Sequence, residues 1–230
     1  MFSEHKSSRL SSGGRGKAIP TAFTLVELLA ISLVVACMLL LVLPTLAGAK
    51  QKTIEANCQF NLRQIGLALQ AYAGDHDGSL PGPVLVLVNA RYDLWSTNQL
   101  AWFLAAPMGT GRPSVTARLA PLLLCPAQGL SPTQPLAKVR ANYALNDGYR
   151  GENGQIAAPF GRPTPPIAEP LKLSRLAASV SPATCQAMAD ADKGDVNPTL
   201  AGWNDLPYQP VHGKVRNQLF FDWHVASKSW

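Results

Sequence analysis

The sequence lacks the short motifs on which most catalytic and nucleotide-binding sites are built. It contains no H-E-x-x-H, no G-x-S-x-G, no P-loop and no G-x-G-x-x-G pattern. It also has only four cysteines, with no C-x-x-C pair among them, which argues against a zinc site built on cysteines. We therefore expect no enzyme.

Clustered basic charge is also missing from most of the chain. The formal net charge is +6, but the first 22 residues hold four basic residues and one acidic residue, so removing them leaves 6 − 3 = +3. The remaining basic residues are scattered singly, without the patch that nucleic-acid binding needs. No nucleic-acid partner is expected.

One long apolar run is present, from residue 23 to residue 43, interrupted only by Thr24, Ser32 and the acid Glu27. At about 1.5 Å per residue these positions would form a helix of roughly 30 Å, which matches the thickness of a bilayer. The run predicts a transmembrane helix over 23–43. An acid in such a segment costs about 2.5–3.5 kcal/mol, so Glu27 needs a partner. A cut before Phe23 would create an ammonium group one helical turn away.

This arrangement resembles the N-terminal segment of type IV prepilins and type II secretion pseudopilins. A basic leader, 1–22, precedes Phe-Thr-Leu-Val-Glu, with Phe23 as the first mature residue and Glu27 as the fifth. Pro44 falls where pilin helices commonly carry a kinking proline. Ala22 replaces the glycine that the family normally has before the cut. The resemblance implies processing between Ala22 and Phe23 and assembly through Phe23, Glu27 and Pro44.

Later segments resemble a major-pseudopilin-like group of planctomycete- and verrucomicrobium-type bacteria. The group normally follows its last aspartate with glycine, where this chain has Trp223. The segments that carry the likeness are Cys58–Pro81, Cys125–Pro126, Asn142–Asn146, Ala189–Asp192 and the pair His212 and Asp222.

The resemblance implies a structural subunit of a type II secretion-like or type IV pilus-like filament. Its expected partners are a prepilin peptidase, further pilin or pseudopilin subunits and an inner-membrane secretion or pilus platform. Its expected location is the inner (cytoplasmic) membrane, crossed once, with the leader cytoplasmic and the C-terminal head periplasmic. After assembly the subunit would stand in a periplasmic or surface filament.

The helix is predicted to continue beyond the membrane as an amphipathic segment, 44–81. Its apolar positions recur at intervals of three and four residues, as on one face of a helix. They are Ile54, Cys58, Leu62, Ile65, Leu69 and Tyr72. Glycines, acids and a proline end the segment between Gly74 and Pro81.

The remaining residues, 82–230, predict a head of the α+β class packed on this helix. Nineteen prolines and eighteen glycines in the chain indicate many loops. Strands are predicted at 84–88 and 183–189, and a terminal β-hairpin at 217–221 and 224–227. The predicted fold is a long N-terminal helix packed on a small antiparallel sheet with a loop-rich head, as in pilins.

The cysteines separate by their predicted location. Cys37 lies in the apolar run and is interpreted as a small apolar residue. Cys58, Cys125 and Cys185 would face an oxidising compartment, where one pair can bond and one thiol remains. Cys58 lies on the helix face that meets the head, and Cys125 precedes a proline in a loop that can cover it. We therefore predict a disulfide between Cys58 and Cys125.

A group of acids and a histidine near the C-terminus has two interpretations. Oxygen side chains at short intervals can bind calcium, but they also form turns that hydrogen-bond their own backbone. His212 is interpreted either as a metal ligand or as a structural residue near Asp222 in the last hairpin. Calcium is the one cofactor suggested. The candidate metal ligands are Asp190, Asp192, Asp195, His212 and Asp222.

Two alternatives remain beside the filament subunit. The same N-terminus, followed by Ala47-Gly48-Ala49, can serve as an ordinary secretory signal that is cut after Ala49. The mature protein would then be a secreted or membrane-anchored binding module, or a metal hydrolase. The length of the apolar run and its acid both argue against an ordinary signal.

Overall fold

A computed structural model describes residues 24–129, 140–150 and 156–229. The chain divides into two compact units, Met1–Ala47 and Gly48–Trp230, which are described separately. The predicted processing residues Ala22 and Phe23 lie outside the described residues. The side chains of 41–47, including that of Pro44, lie outside them as well.

The first helix, α1, runs from Leu25 to Asp75, and the boundary between the two units falls within it. In the first unit every described side chain from 24 to 40 is exposed. Among the residues that the structure describes, no helix is both long enough and apolar enough to cross a membrane.

In the second unit, α1 presents one apolar face to the core of the head. Cys58, Leu62, Ile65 and Leu69 are completely buried, as the intervals of three and four residues predict. They belong to the same hydrophobic cluster as residues of the sheet, among them Leu219. A Cβ added at Gly66 would lie 3.0 Å from Leu219 Cδ1, so any larger residue would require the Leu219 side chain to shift.

The described strands of the head are β1 Leu87–Val88, β2 Arg91–Tyr92, β3 Arg118–Leu119, β4 Tyr143–Leu145, β5 Tyr149–Arg150, β6 Ile156–Ala157, β7 Gln186–Asp190, β8 Val215–Phe220 and β9 Val225–Ser229. Five of them form one main antiparallel sheet, in the order β1-β4-β7-β8-β9. Two short antiparallel pairs, β2 with β3 and β5 with β6, lie outside it. The described elements also include two short α-helices, α2 Leu100–Leu104 and α3 Leu173–Ser179, and 3-10 turns at Pro121–Leu123, Pro126–Gln128 and Trp203–Asp205. The predicted α+β class with an antiparallel sheet is confirmed.

The predicted strand at 84–88 is largely wrong, because only its last two residues pair with β4. The N–H groups of Val84 and Leu85 donate instead to the carbonyls of Phe160 and Asn98, which are loop residues. The terminal hairpin, β8 and β9, forms as predicted. Its turn places Trp223 in the left-handed region, at φ 72°, a conformation that favours glycine.

We predict that Leu69→Ala lowers the free energy of unfolding of the head by about 2–5 kcal/mol, because it leaves a cavity between helix and sheet. Leu67→Ala is the matched control, since Leu67 lies on the same helix but is 55% exposed. It should change stability by no more than about 0.5 kcal/mol. Urea unfolding followed by tryptophan fluorescence measures both, because all five tryptophans lie in the second unit. Equal losses would contradict the packing of this helix face.

Candidate functional site

The head buries several polar side chains close to the junction of α1 with the sheet. Buried polar groups are costly unless they have partners, so their contacts show which interactions the fold maintains there. Most of them lie on or next to β7 and β8. They are Asn142, Asp190, Asp192, His212, Arg216, Asn217 and Gln218.

A disulfide joins α1 to the loop that precedes β4. It links Cys58 and Cys125, whose Cα atoms are 5.4 Å apart and whose side chains are fully buried. The structure thus joins the two cysteines that the sequence analysis paired. Cys185 remains a buried free cysteine, and Cys37 is free and exposed. Because the two cysteines are 67 positions apart in the chain, the bond is expected to stabilise the fold by about 4 kcal/mol.

Amide side chains hold the loop that carries Cys125. Asn61 Nδ2 on α1 donates to the Leu124 carbonyl at 3.0 Å. The backbone N–H of Cys125 donates to Asn142 Oδ1 at 3.2 Å, and Pro126 then starts a short 3-10 turn. The loop is therefore held against both the helix and the start of β4.

His212 lies directly beside the disulfide. Its Nε2 is 3.5 Å from Cys125 Sγ and 3.5 Å from Asp190 Oδ2. The side chains of His212 and Asp190 are each 1% exposed. The ligand atoms of Cys58, Cys125 and His212 all lie within 4.8 Å of one another, which makes them a possible metal-binding group. We refer to Cys58, Cys125, His212 and Asp190 as the cysteine–histidine cluster.

Asp190, the last residue of β7, is only partly satisfied. The Asn217 N–H donates to its Oδ2 at 2.9 Å, whereas its Oδ1 has no hydrogen-bond partner among the described residues. Burial raises the pKa of Asp190 to about 7 and lowers the pKa of His212. Burial therefore disfavours the charged form of both groups, and the contact between them is not a simple ion pair.

A second polar contact connects the loop after β7 to β8. Arg216 donates to both oxygens of Asp192, from Nε at 2.9 Å and from an Nη at 2.8 Å. Its other Nη lies 3.3 Å from Asp195 Oδ1. The Asp192 side chain is completely buried, and that of Arg216 is 10% exposed. This bidentate contact has the geometry of a structural ion pair that holds the loop against the sheet.

The predicted set of metal ligands is divided among three places. Asp190 and His212 lie together, Asp192 and Asp195 bind Arg216, and the carboxylate of Asp222 lies 2.5 Å from His224 Nδ1. The suggested calcium site is thus not assembled as predicted, because the guanidinium of Arg216 pairs with two of its carboxylates, those of Asp192 and Asp195. The suggested contact between His212 and Asp222 is also not formed, since each has a different partner.

The first described residues of α1 form a reciprocal cap. The backbone N–H and the hydroxyl of Thr24 donate to Glu27 Oε2 at 2.9 and 2.8 Å, and the Glu27 N–H donates to Thr24 Oγ1 at 3.3 Å. This is a capping box, which satisfies N–H groups at the start of a helix. Glu27 therefore has a local partner that the sequence analysis did not consider, although the Thr-x-x-Glu spacing indicates it.

The cysteine–histidine cluster was not predicted from the sequence as a group. Its members come from α1, two loops and the end of β7, and no short spacing connects them. Comparison of the chain with protein-family models, with curated proteins and with solved structures gives no match.

We predict that Asp192→Ala lowers the stability of the head by about 3 kcal/mol, because it leaves a largely buried guanidinium with one of its two acids. Asp205→Ala is the control, since Asp205 pairs with Arg140 in an exposed contact and should lose no more than about 1 kcal/mol. Urea unfolding measures both variants. A small loss for Asp192→Ala, equal to that of the control, would show that the buried pair does not hold the loop.

Proposed function

We propose that the chain is a structural subunit of a filament of the type IV pilin or type II secretion pseudopilin kind. The observation that carries the proposal is the apolar surface of α1 between 24 and 40. Each of its described side chains is exposed, with Leu25 at 79% and Leu40 at 71%. A contiguous apolar surface of this size marks a site that is covered by a membrane or by other protein.

The position of the only acid in this surface supports the same role. Glu27 lies in the first turn of α1, where a carboxylate is favoured by the N–H groups of the helix start. A cut before Phe23 would place a new ammonium group within one turn of it. In a filament, the ammonium of a neighbouring copy can approach the same acid and favour one register between subunits.

The attachment of α1 to the head is of the kind that a filament subunit needs in order to resist tension. In the second unit the helix is held by a buried apolar face and by the disulfide to the Cys125 loop. A helix attached in this way cannot separate from the sheet without unfolding the core. Subunits held together through their helices would thus keep their heads attached under tension.

The proposed partners are a prepilin peptidase, copies of this chain or related subunits, and an inner-membrane assembly platform. The proposed location is a single pass through the inner membrane before assembly, with the head in the periplasm. Processing by the peptidase would remove residues 1–22 and expose the amino group of Phe23, which is proposed to pair with Glu27 of a neighbouring subunit.

We predict that the mature chain begins at Phe23 and carries a methyl group on its amino terminus. Mass spectrometry of protein extracted from membranes of cells that hold a prepilin peptidase measures this. A control culture without the peptidase should yield the chain with its leader. A mature chain that begins at Lys50 would instead support an ordinary secretory signal and a secreted binding module or hydrolase.

We predict that Glu27→Gln is inserted and processed normally but fails to assemble into filaments. Glutamine retains the capping box with Thr24 yet carries no charge, so only the pairing with an ammonium group is lost. Processing is measured by mass spectrometry and assembly by electron microscopy of sheared filaments and by secretion.

Thr24→Ala is the matched control, because it removes the hydroxyl of the cap and keeps the carboxylate of Glu27. It should still form filaments. Normal filaments from Glu27→Gln would contradict the electrostatic register. Loss of filaments from Thr24→Ala alone would show that the cap, and not the charge, is what assembly requires.

A further inference from the structure

The cysteine–histidine cluster has the composition of a zinc site. Zinc is bound in proteins by cysteine thiolates, histidine nitrogens and carboxylate oxygens, four at a time in a tetrahedron. The two sulfurs and one imidazole nitrogen of the cluster lie within 4.8 Å of one another, and the Asp190 carboxylate lies 3.5 Å from that nitrogen. All four side chains are buried. The same two sulfurs form the disulfide, so the cluster can bind a cation only when that bond is open.

The two distances from His212 Nε2 to its neighbours match those between ligands of a tetrahedral zinc ion. With Zn–N near 2.0–2.1 Å and Zn–S near 2.3 Å, neighbouring nitrogen and sulfur ligands lie about 3.5 Å apart. His212 Nε2 is 3.5 Å from Cys125 Sγ and 3.5 Å from Asp190 Oδ2. On binding, the two sulfurs must separate, because bonded sulfurs are closer together than two thiolates on one zinc ion. The Asp190 carboxylate must also approach the sulfurs, because it lies outside the group of ligand atoms that are within 4.8 Å of one another.

The carboxylate provides an independent indication. Asp190 Oδ1 is buried and lacks a hydrogen-bond partner among the described residues, whereas its Oδ2 accepts the Asn217 N–H. Carboxylates that ligate metals are commonly hydrogen-bonded as well. Because Oδ2 is the oxygen that lies 3.5 Å from His212 Nε2, the carboxylate would have to rotate for Oδ1 to bind the cation while Oδ2 keeps the Asn217 N–H. An unpartnered buried oxygen is otherwise costly to retain.

We propose that the chain with Cys58 and Cys125 reduced binds one divalent cation of the zinc class through both thiolates, His212 Nε2 and a carboxylate oxygen of Asp190. Each thiol releases one proton on binding. Forming the disulfide expels the cation: the two thiolates give up two electrons and form the S–S bond. An external disulfide accepts these electrons with two protons, and its own S–S bond breaks to leave two thiols.

The cluster would therefore connect α1 to the head in either redox state. The zinc-bound form links Cys58 to Cys125 through the metal, and the oxidised form links them directly. Because all four side chains are buried, a bound cation would be shielded from solvent. This proposal does not depend on the filament role.

The test uses the full chain in detergent, with cobalt(II) as a spectroscopic probe for zinc. A phosphine opens the disulfide and becomes its oxide by taking an oxygen atom from water, and it is then removed without air. The reduced chain should bind one cobalt ion and show the thiolate-to-cobalt charge-transfer band and the strong visible bands of a tetrahedral site. Zinc should displace the cobalt, and the oxidised chain should show neither band.

The variants assign the ligands. Cys125→Ser, His212→Ala and the nearly isosteric Asp190→Asn should each weaken cobalt binding by roughly 100-fold or more, since even outer-shell partners of a metal site contribute 10–100-fold. Cys185→Ser is the matched control, because Cys185 is also a buried cysteine but lies outside the cluster. Its cobalt affinity and spectrum should equal those of the unaltered chain.

A measurement on the unaltered chain covers variants that fail to fold. Alkylation mapped by mass spectrometry should show zinc protecting Cys58 and Cys125 of the reduced chain, relative to a chelator, while Cys37 reacts equally in both. A reduced chain that binds no cobalt would overturn the proposal. Binding without a thiolate band, or binding of equal strength by the oxidised chain, would overturn it as well.

Discussion

The attachment of α1 to the sheet is the constraint on which the rest of the head depends. Four consecutive positions of one helix face are completely buried, and a glycine lets the helix approach β8. The disulfide fixes this contact covalently, because it joins Cys58 in the middle of the buried face to Cys125 in a loop. The loops that make up much of the head are therefore arranged around one rigid element.

The polar interior is arranged around the same junction. Burying Asp190, Asp192, His212 and Arg216 together costs desolvation that apolar residues would not incur. Asp192 and Arg216 offset much of it with two charge-assisted hydrogen bonds. Asp190 and His212 offset less of it, since they share one 3.5 Å contact, and Asp190 accepts one N–H while its Oδ1 has no partner among the described residues. That difference is why the first pair is interpreted as structural and the second as a binding site.

Glu27 illustrates how a single residue can serve two purposes. Its carboxylate accepts hydrogen bonds from Thr24 and so completes the start of α1 within one chain. In the proposed filament the same carboxylate pairs with an ammonium group of a neighbour. The two functions are compatible because a carboxylate has two oxygens, and both Thr24 contacts use Oε2.

The sequence by itself determined the features that depend on neighbours along the chain. Intervals of three and four residues predicted which face of α1 is buried, and alternation with a turn predicted the hairpin of β8 and β9. The length of the edge strand β1 was overestimated, because the N–H groups of Val84 and Leu85 donate to distant loops and do not pair with β4.

Only the tertiary structure decided which chemical groups meet. Cys125 and His212 are 87 residues apart, and Asp192 and Arg216 are 24 apart, so no local spacing indicates either contact. The sequence grouped Asp190, Asp192, Asp195, His212 and Asp222 because they are polar and near the C-terminus. The fold separates them, because each strand directs side chains by its register with its neighbours, and that register depends on the whole core.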